Sequence, residues 1–148
     1  MAWCSNALVV LTGLVRRIKS VSFSTRFRWT GYTVPPKPNF FTEEEVSGLD
    51  AELVAKLDWA RGRAGIPFII TSGKRTPEQN AAAGGVSDSS HVRGLGVDLR
   101  CQNSQDRYKM LNALFLAGFK RIGVYAADGH IHVDSDPSLV QDVFWVKP

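Results

Sequence analysis

Two short segments alternate polar and apolar residues, and this alternation constrains the fold more than any other feature of the chain. The first is LGVDLRC at residues 95–101, and the second is HIHVD at residues 130–134. Successive side chains of a β-strand point to opposite faces of the sheet. Each segment is therefore predicted to be a strand whose apolar side chains enter the core. Asp98 in the first strand and both histidines in the second are predicted to lie on the polar faces.

Side chains able to bind a metal ion are concentrated in and beside these two strands. All three histidines of the chain occur here, at His91, His130 and His132. Two imidazoles and a carboxylate are ligands that zinc accepts readily, with a fourth position left for water. We predict His91, Asp98 and His132 as metal ligands, since the loop that carries His91 can fold back onto the strand face. Taken singly, each histidine also fits a half-buried structural residue, and Asp98 fits a cap at the strand end.

Capping residues and turn formers predict the other elements. A capping box at Thr42 begins an apolar helical stripe that runs to Gly65, and Gly48 allows two helices in place of one. A buried strand at 67–71, a short helix at 77–83 within a loop over 72–90, a helix capped at residue 104 and a strand at 122–125 are also predicted. Phe144 and Trp145 are expected to complete the core. Elements without a regular βαβ repeat indicate an α+β fold, with a small antiparallel sheet and helices packed on one side.

Positive charge is confined to the beginning of the chain. Residues 1–40 contain six Lys or Arg and no acid, whereas residues 41–148 contain twelve against fourteen Asp or Glu, a net charge of −2. The second segment therefore gives no electrostatic reason to expect nucleic-acid binding. Residues 1–40 are predicted to be a poorly ordered basic extension, with a membrane-surface segment or a transit-like leader as alternatives. Residues 41–148 are predicted to form one domain, and Cys4 and Cys101 to be free thiols.

Three motifs together resemble those of a known family. The spacing His-x-x-x-x-x-x-Asp from His91 to Asp98, followed by HIHVD, is similar to the M15 zinc peptidases. The closest branch contains zinc D-Ala-D-Ala carboxypeptidases and murein endopeptidases. SGKRTPEQN at 72–80 resembles the family segment Ser-Gly-Tyr-Arg-(Ser/Thr)-Pro-x-x-Asn, with Lys74 where an aromatic residue is common, and Gly-Val-Tyr at 123–125 also matches. The resemblance covers roughly Phe41 to Trp145.

The resemblance implies a role for each matching residue. His91, Asp98 and His132 match the zinc ligands, so Zn²⁺ is the expected cofactor. His130 matches a histidine beside the metal, from which it could relay a proton or stabilise the oxyanion. Arg75 matches an arginine that binds a substrate carboxylate, a task that suits its two-pronged guanidinium group. The implied fold is hedgehog/DD-peptidase-like, with the metal site in a cleft between the sheet and the loops.

One position departs from the family pattern. Other M15 branches carry Glu or Asp three residues before the last histidine ligand as a general base, and this chain has Gly129 there. Asp128 is a second candidate for a catalytic role as the base, although it also fits an ordinary Asp-Gly turn. Asp134 has two open interpretations. It either orients a neighbouring histidine or closes the strand and faces water.

The residues and the resemblance together predict a zinc peptidase that hydrolyses amide bonds in peptidoglycan stem peptides or cross-links. Such an enzyme acts on the bacterial cell wall, either in the periplasm or outside the cell, or as a phage enzyme released at host lysis. Two other functions stay open. One is a zinc-containing binding module without catalysis, and the other is a peptidase of other peptides or D-amino-acid dipeptides. The sequence predicts neither the exact bond cut nor the oligomeric state.

Overall fold

The computed structural model describes residues 40–148, which form an α+β fold. Its elements in chain order are α1 (Ala51–Ala64), β1 (Ile70–Ser72), α2 (Pro77–Ala82), α3 (Ser90–Arg93), β2 (Gly96–Arg100), α4 (Ser104–Leu116), β3 (Arg121–Tyr125), β4 (His130–Asp134) and β5 (Val143–Lys147). The predictions for the basic extension, its membrane contact and Cys4 lie outside the described residues, Phe40 excepted. Within residues 40–148, no helix combines the length and hydropathy that a bilayer span requires.

The five strands form one mixed sheet with the order β1-β2-β4-β3-β5. The first four strands in this order pair antiparallel, whereas β5 pairs parallel with β3. The α+β class is confirmed, but the prediction of an antiparallel sheet is wrong at this edge. The chain leaves β4 through residues 135–142 and reaches the far side of β3, so β5 runs in the same direction as β3. β5 is absent from the predicted strands, although its sequence VFWVK has the β-branched and aromatic residues typical of strands.

The hydrophobic core lies between one face of the sheet and the helices α1 and α4. The buried strand residues on this face are Val97 and Leu99 in β2, Ile122 and Val124 in β3, and Ile131 and Val133 in β4. The helices cover them with large side chains, which include Leu53, Leu57, Met110 and Leu114. Each fully buried aliphatic side chain stabilises the fold by about 1.5–3 kcal/mol. Because the core is complete on this side, the opposite face of the sheet can carry polar residues.

The capping box at residues 42–45 forms, but it does not start an α-helix. The N–H of Thr42 donates to Glu45 Oε2 at 2.8 Å, and the N–H of Glu45 donates to Thr42 Oγ1 at 3.2 Å. This turn ends at Gly48, whose φ of 73° is left-handed. Asp50 then caps α1 by accepting from two backbone N–H groups, and Gly65 ends the helix as predicted. The helix is shorter than the apolar stripe because the left-handed Gly48 interrupts the stripe before the helix begins.

Two short helices lie in the connection between β1 and β2. The predicted helix at 77–83 is confirmed as α2, which Thr76 caps in a reciprocal box with Gln79. The sequence predicts a loop at α3, but Ser89 begins one helical turn there and Gly94 ends it in the left-handed conformation. A Cβ at Gly94 would overlap a backbone carbonyl oxygen, so a side chain is excluded at this position. The two caps explain why so short a helix forms beside the polar face of the sheet.

Candidate metal centre and active-site cleft

The structure brings together the three predicted metal ligands on the polar face of the sheet. Asp98 on β2 and His132 on β4 are directly opposed in the antiparallel register, and α3 contributes His91. His91 Nε2 lies 3.2 Å from His132 Nδ1 and 3.3 Å from Asp98 Oδ1, and His132 Nδ1 lies 2.9 Å from the same oxygen. Among the described residues, these three side chains form a group that could hold a metal ion.

The separations between these donor atoms fit a small divalent cation. Ligand atoms about 2.0–2.1 Å from a tetrahedral zinc ion lie about 3.3 Å from one another. The three observed distances are 2.9, 3.2 and 3.3 Å. His91 is 4% exposed and Asp98 is 8% exposed, so little water is available to solvate these polar atoms. One cation bound between the three ligand atoms would compensate the burial of all of them.

Hydrogen bonds orient both imidazoles so that one nitrogen of each faces the shared point. His91 Nδ1 donates to the carbonyl oxygen of Gly73 at 2.8 Å, which leaves the lone pair on Nε2. His132 Nε2 donates to Asp134 Oδ2 at 3.2 Å, so the neutral imidazole presents the lone pair of Nδ1 to the shared point. These proton positions follow from the hydrogen-bond partners. Asp134 is 1% exposed, so it orients His132 and does not face water.

Arg121 on β3 supports this arrangement, and no motif in the sequence identifies it. Its Nε donates to the two oxygens of Asp134 at 2.9 and 3.0 Å, and its Nη1 donates to the carbonyl oxygen of Val140. Arg121 and Asp134 are opposed in the β3–β4 register, and their side chains are 15% and 1% exposed. They form a buried ion pair next to a candidate ligand. The available signal is the alternation of Arg121, Gly123 and Tyr125, which predicts a shared polar face.

The charges of the centre shift two pKa values in opposite directions. Burial alone would raise the pKa of Asp98, but hydrogen bonds with His132 and His91 and their positive charge hold it below its ordinary value. Burial alone would lower the pKa of His132, but hydrogen bonds to Asp134 and Asp98 raise it above its ordinary value. The two carboxylates therefore favour a positive charge between them. A metal ion bound by these residues would supply that charge in the same place as the proton.

Arg75 lies beside the centre and holds the second oxygen of Asp98. Its Nη2 donates to Asp98 Oδ2 at 2.7 Å, and its Nε donates to Ser72 Oγ at 2.7 Å. The first bond leaves Oδ1 of Asp98 directed at the two histidines. The guanidinium group is partly exposed and lines the cleft over the centre. Its contact with a substrate carboxylate stays a prediction, to which the structure adds the contact with Asp98.

His130 faces the same cleft from β4, two residues before His132. Its Nε2 is 4.0 Å from Asp98 Oδ1, which is beyond hydrogen-bond distance, and its side chain is 23% exposed. The imidazole stacks on the ring of Tyr125 with centroids 4.5 Å apart and planes inclined by 13°. His130 therefore lies beside the three donor atoms without joining them. Its catalytic role stays a prediction.

A cleft of about 550 Å³ opens over the centre. It is lined by all six predicted site residues, which are Arg75, His91, Asp98, Asp128, His130 and His132. Asp128 is exposed in the turn over residues 126–129. The next residue, Gly129, has a φ of 69°. The turn therefore requires a left-handed residue where other branches of the family carry the carboxylate base, and glycine adopts that conformation without strain.

Comparison with protein families identifies the relationship of the chain. A family model described as Peptidase M15 matches residues 36–134, more than half of the chain. The chain belongs to the peptidase M15 family. The matched segment contains all six predicted site residues, and the resemblance inferred from the motifs is confirmed at the level of the family. A comparison with curated proteins finds no significant match.

One wall of the cleft lies beyond the segment matched to the M15 family. Trp145 on β5 lines the cleft, and its ring centroid is 5.9 Å from that of His132 and 5.6 Å from Cζ of Arg121. Phe144 is 49% exposed on the other face of β5. The expectation that Phe144 and Trp145 complete the core is therefore wrong. The register with β3 decides this, because it aligns Trp145 with Gly123 on the polar face.

Proposed function

We propose that this M15 family protein is a zinc-dependent peptidase that cleaves amide bonds in peptidoglycan stem peptides or cross-links. The observation that carries the proposal is the triangle of donor atoms from His91, His132 and Asp98, 2.9–3.3 Å apart, beside a cleft of about 550 Å³. Structural zinc sites usually have four protein ligands, whereas catalytic sites have three and keep a position for water or substrate. Three candidate ligands beside an open cleft favour the catalytic type.

Zinc is the metal that we propose for these ligands. Imidazole and carboxylate donors suit zinc, although they also accept cobalt or nickel. Bound zinc would act as a Lewis acid on the scissile carbonyl and would lower the pKa of a water molecule to about 7. The protein contributes the orientation of the donors. Gly73 and Asp134 hold the two imidazoles, and Arg75 holds the carboxylate of Asp98.

His130 is the side chain that we propose to act on the reacting groups. Its Nε2 is 4.0 Å from Asp98 Oδ1, on the side of the centre that lines the cleft. From there it can donate a hydrogen bond to a carbonyl oxygen that gains negative charge, or transfer a proton to the leaving amine. Such groups contribute about 10²–10⁴-fold to the rate. After His130, Asp128 is the second candidate for a catalytic role. It would act as a general base, because it lines the same cleft.

Arg75 favours a substrate that carries a free carboxylate. A guanidinium group has five N–H donors, and the hydrogen bonds to Ser72 and Asp98 use two of them. The group lines the cleft, so further donors can bind a carboxylate of the substrate in the bidentate geometry that arginine prefers. Peptidoglycan stem peptides carry such carboxylates at a terminal D-Ala and on D-Glu. We therefore propose that the enzyme acts on the cell wall, as a bacterial or phage protein.

Digestion of purified peptidoglycan sacculi, followed by mass analysis of the products, tests this proposal. The zinc-loaded protein should release fragments whose masses identify the bond cut, and a chelator should abolish release until zinc is restored. His130→Ala should retain zinc and lose most turnover. Arg75→Ala should raise KM, and its zinc content should be measured because Arg75 also holds Asp98. Arg63→Ala, on the exposed end of α1, is the matched control for the loss of a guanidinium group.

The possible outcomes separate the three candidate functions. Full zinc content without cleavage of any muropeptide would favour a binding module that retains the metal. Cleavage of other peptides or of D-amino-acid dipeptides, with intact sacculi, would exclude the wall substrate and retain the peptidase. A folded protein that binds no zinc at micromolar concentration would contradict the proposal itself.

A further inference from the structure

An aromatic chain on the cleft face connects β5 with the candidate catalytic histidine. The ring of Tyr125 is nearly parallel to the imidazole of His130, with an angle of 13° and centroids 4.5 Å apart. The indole Nε1–H of Trp145 donates to Oη of Tyr125 at 3.3 Å. The three residues lie on neighbouring strands, β5, β3 and β4. Contacts therefore run without interruption from Trp145 through Tyr125 to His130.

The backbone of β3 is shaped to receive the indole. Trp145 and Gly123 are partners in the parallel register. A Cβ at Gly123 would lie 2.5 Å from both Cζ2 and Nε1 of Trp145. Ordinary contacts between carbon atoms are about 3.5–4.0 Å, so a side chain at residue 123 is incompatible with this position of the indole. The glycine lets the indole lie against β3, where its N–H reaches Tyr125.

The stack on Tyr125 is the contact that orients His130. Among residues 40–148, the imidazole of His130 makes no hydrogen bond, and its Nε2 approaches Asp98 Oδ1 only to 4.0 Å. An imidazole can rotate about two side-chain torsions. Offset stacking of aromatic rings restricts that rotation, and here the stack leaves Nε2 on the side of the donor atoms. The orientation of His130 therefore depends on a ring that is itself held by Trp145.

We propose that Trp145 is a positioning residue, which acts through Tyr125 to hold His130 in its orientation toward the metal centre. The catalytic consequence rests on the proposed function, whereas the orientation itself does not. Trp145 lies outside residues 36–134, the segment that matches the M15 family. The last strand of the chain thus contributes to the active site a residue that the family relationship does not assign.

Two conservative variants remove the hydrogen bond and keep both rings. Trp145→Phe retains an aromatic ring against Gly123, and Tyr125→Phe retains the stack on His130. Each should lower kcat about 10-fold, because displacement of a catalytic group by 1 Å can lower the rate up to about 10²-fold. KM should stay within about twofold, since His130 acts in the transition state. The double variant should lose no more than either single variant, because both changes remove the same bond.

Phe144→Leu is the matched control on the same strand. Phe144 is 49% exposed and contacts Phe115 on the side of β5 that faces away from the cleft. This variant should retain the kcat of the parent. Zinc content, measured by elemental analysis, should equal that of the parent in every variant, because none of the changed residues is a candidate ligand. Tyr125→Leu removes the stack itself and should approach the kcat of His130→Ala.

The orientation of His130 can also be measured without turnover. The chain contains three histidines, so the ¹H–¹³C spectrum of the imidazoles contains three ring systems, and His130→Gln assigns one of them. The ring of Tyr125 shifts the signals of a stacked imidazole through its ring current. Trp145→Phe and Tyr125→Phe should move the signals of His130 in the zinc-loaded protein, and Phe144→Leu should leave them unchanged.

The outcomes distinguish this inference from the proposed function. Parent-like kcat and parent-like His130 signals in both conservative variants would refute the positioning role, even in an active peptidase. Shifted His130 signals in a protein that cleaves no peptide would support the positioning role and contradict only the activity. Equal losses of kcat in Phe144→Leu and Trp145→Phe would indicate a general effect on β5, and would also overturn the inference.

Discussion

Asp134→Asn should weaken both the folded state and the proposed binding of zinc. The carboxylate is 1% exposed and accepts hydrogen bonds from Arg121 Nε at 2.9 and 3.0 Å and from His132 Nε2 at 3.2 Å. Asparagine has nearly the same volume, so the change removes a charge without opening a cavity. Its amide accepts at one oxygen only, and its NH₂ group must face Arg121 or His132 as an additional donor.

The loss of folding stability follows from the burial of the partner charge. Removal of one member of a buried ion pair costs about 3–5 kcal/mol, because the other charge is left without a counter-ion. The side chain of Arg121 is 15% exposed and also donates to the carbonyl oxygen of Val140. We therefore expect the lower end of the range, about 3 kcal/mol. For a chain of this length, the melting temperature should fall by roughly 6–12 °C.

The loss of zinc affinity follows from the orientation of His132. Removal of the outer hydrogen-bond partner of a ligating histidine weakens metal binding about 10–100-fold. This range corresponds to about 1.4–2.7 kcal/mol at 25 °C. Competition with a chromophoric chelator measures the affinity. Thermal unfolding in excess chelator, followed by circular dichroism, measures the stability of the metal-free protein separately.

Asp142→Asn is the matched control for the loss of one carboxylate. Asp142 lies 3.1 Å from Lys120 Nζ, but the two side chains are 73% and 58% exposed. An exposed pair of this kind contributes no more than about 1 kcal/mol. Asparagine also tolerates the left-handed φ of 60° at this position. If Asp134→Asn changes the melting temperature and the zinc affinity no more than this control does, the reasoning from the buried ion pair is refuted.

Three further perturbations test other parts of the site. Gly123→Ala should lower the free energy of unfolding in urea by about 1–3 kcal/mol, because its Cβ would lie 2.5 Å from two atoms of Trp145. Gly62→Ala on α1 would place a Cβ 3.3 Å from Cε2 of Phe40, which is 47% exposed and can move aside, so it should change the free energy of unfolding by no more than about 1 kcal/mol. Although burial opposes the effect, two carboxylates raise the pKa of His132, so zinc must displace a proton. Zinc affinity should therefore rise as the pH increases from about 6.5, the ordinary pKa of histidine, through the raised pKa, with proton release detectable by calorimetry in buffers of different ionisation enthalpy. The raised pKa also stabilises the metal-free fold below about pH 6.5, and this contribution is lost as the pH rises through the raised value. Arg75→Lys should lower kcat/KM on muropeptides about 10-fold or more, because lysine cannot make two parallel hydrogen bonds.

Each of these predictions has a result that contradicts it. Equal unfolding free energies for Gly123→Ala and the parent would mean that the indole does not lie against β3. A zinc affinity that does not change with pH in this range would exclude a proton held at His132. Full kcat/KM in Arg75→Lys would indicate that a single positive charge is sufficient at that position.

The candidate metal centre is largely predictable from the sequence because its signal is local. Alternation with a period of two in residues 95–101 and 130–134 predicts which side chains of each strand share a face. The strands are observed at Gly96–Arg100 and His130–Asp134. Asp98 and His132 face each other across them. Alternation alone does not predict that the two strands are neighbours, and the spacing shared with the M15 family supplied that information.

Local signals mislead where two of them compete. The capping box at Thr42 forms as predicted, yet the helix begins only at Ala51, after Asp50 supplies a second cap. Gly48 separates the two signals with its left-handed conformation. In α3, Ser89 and Gly94 cap a helix of only four residues, which is too short for any apolar periodicity. The sequence offers more caps than there are helices, and the position of each helix depends on which of these caps is compatible with the rest of the fold.

The sequence by itself determined the polar and apolar faces of the strands and the three side chains that can bind a metal. The tertiary structure decided which faces meet. β5 pairs parallel with β3, so Trp145 enters the cleft, and β2 pairs with β4 across more than thirty residues of chain, so Asp98 meets His132. The physical reason is the range of the interactions. Side-chain alternation depends on residues adjacent in the chain, whereas strand order and register depend on the packing of residues far apart in it, and no local pattern encodes that packing.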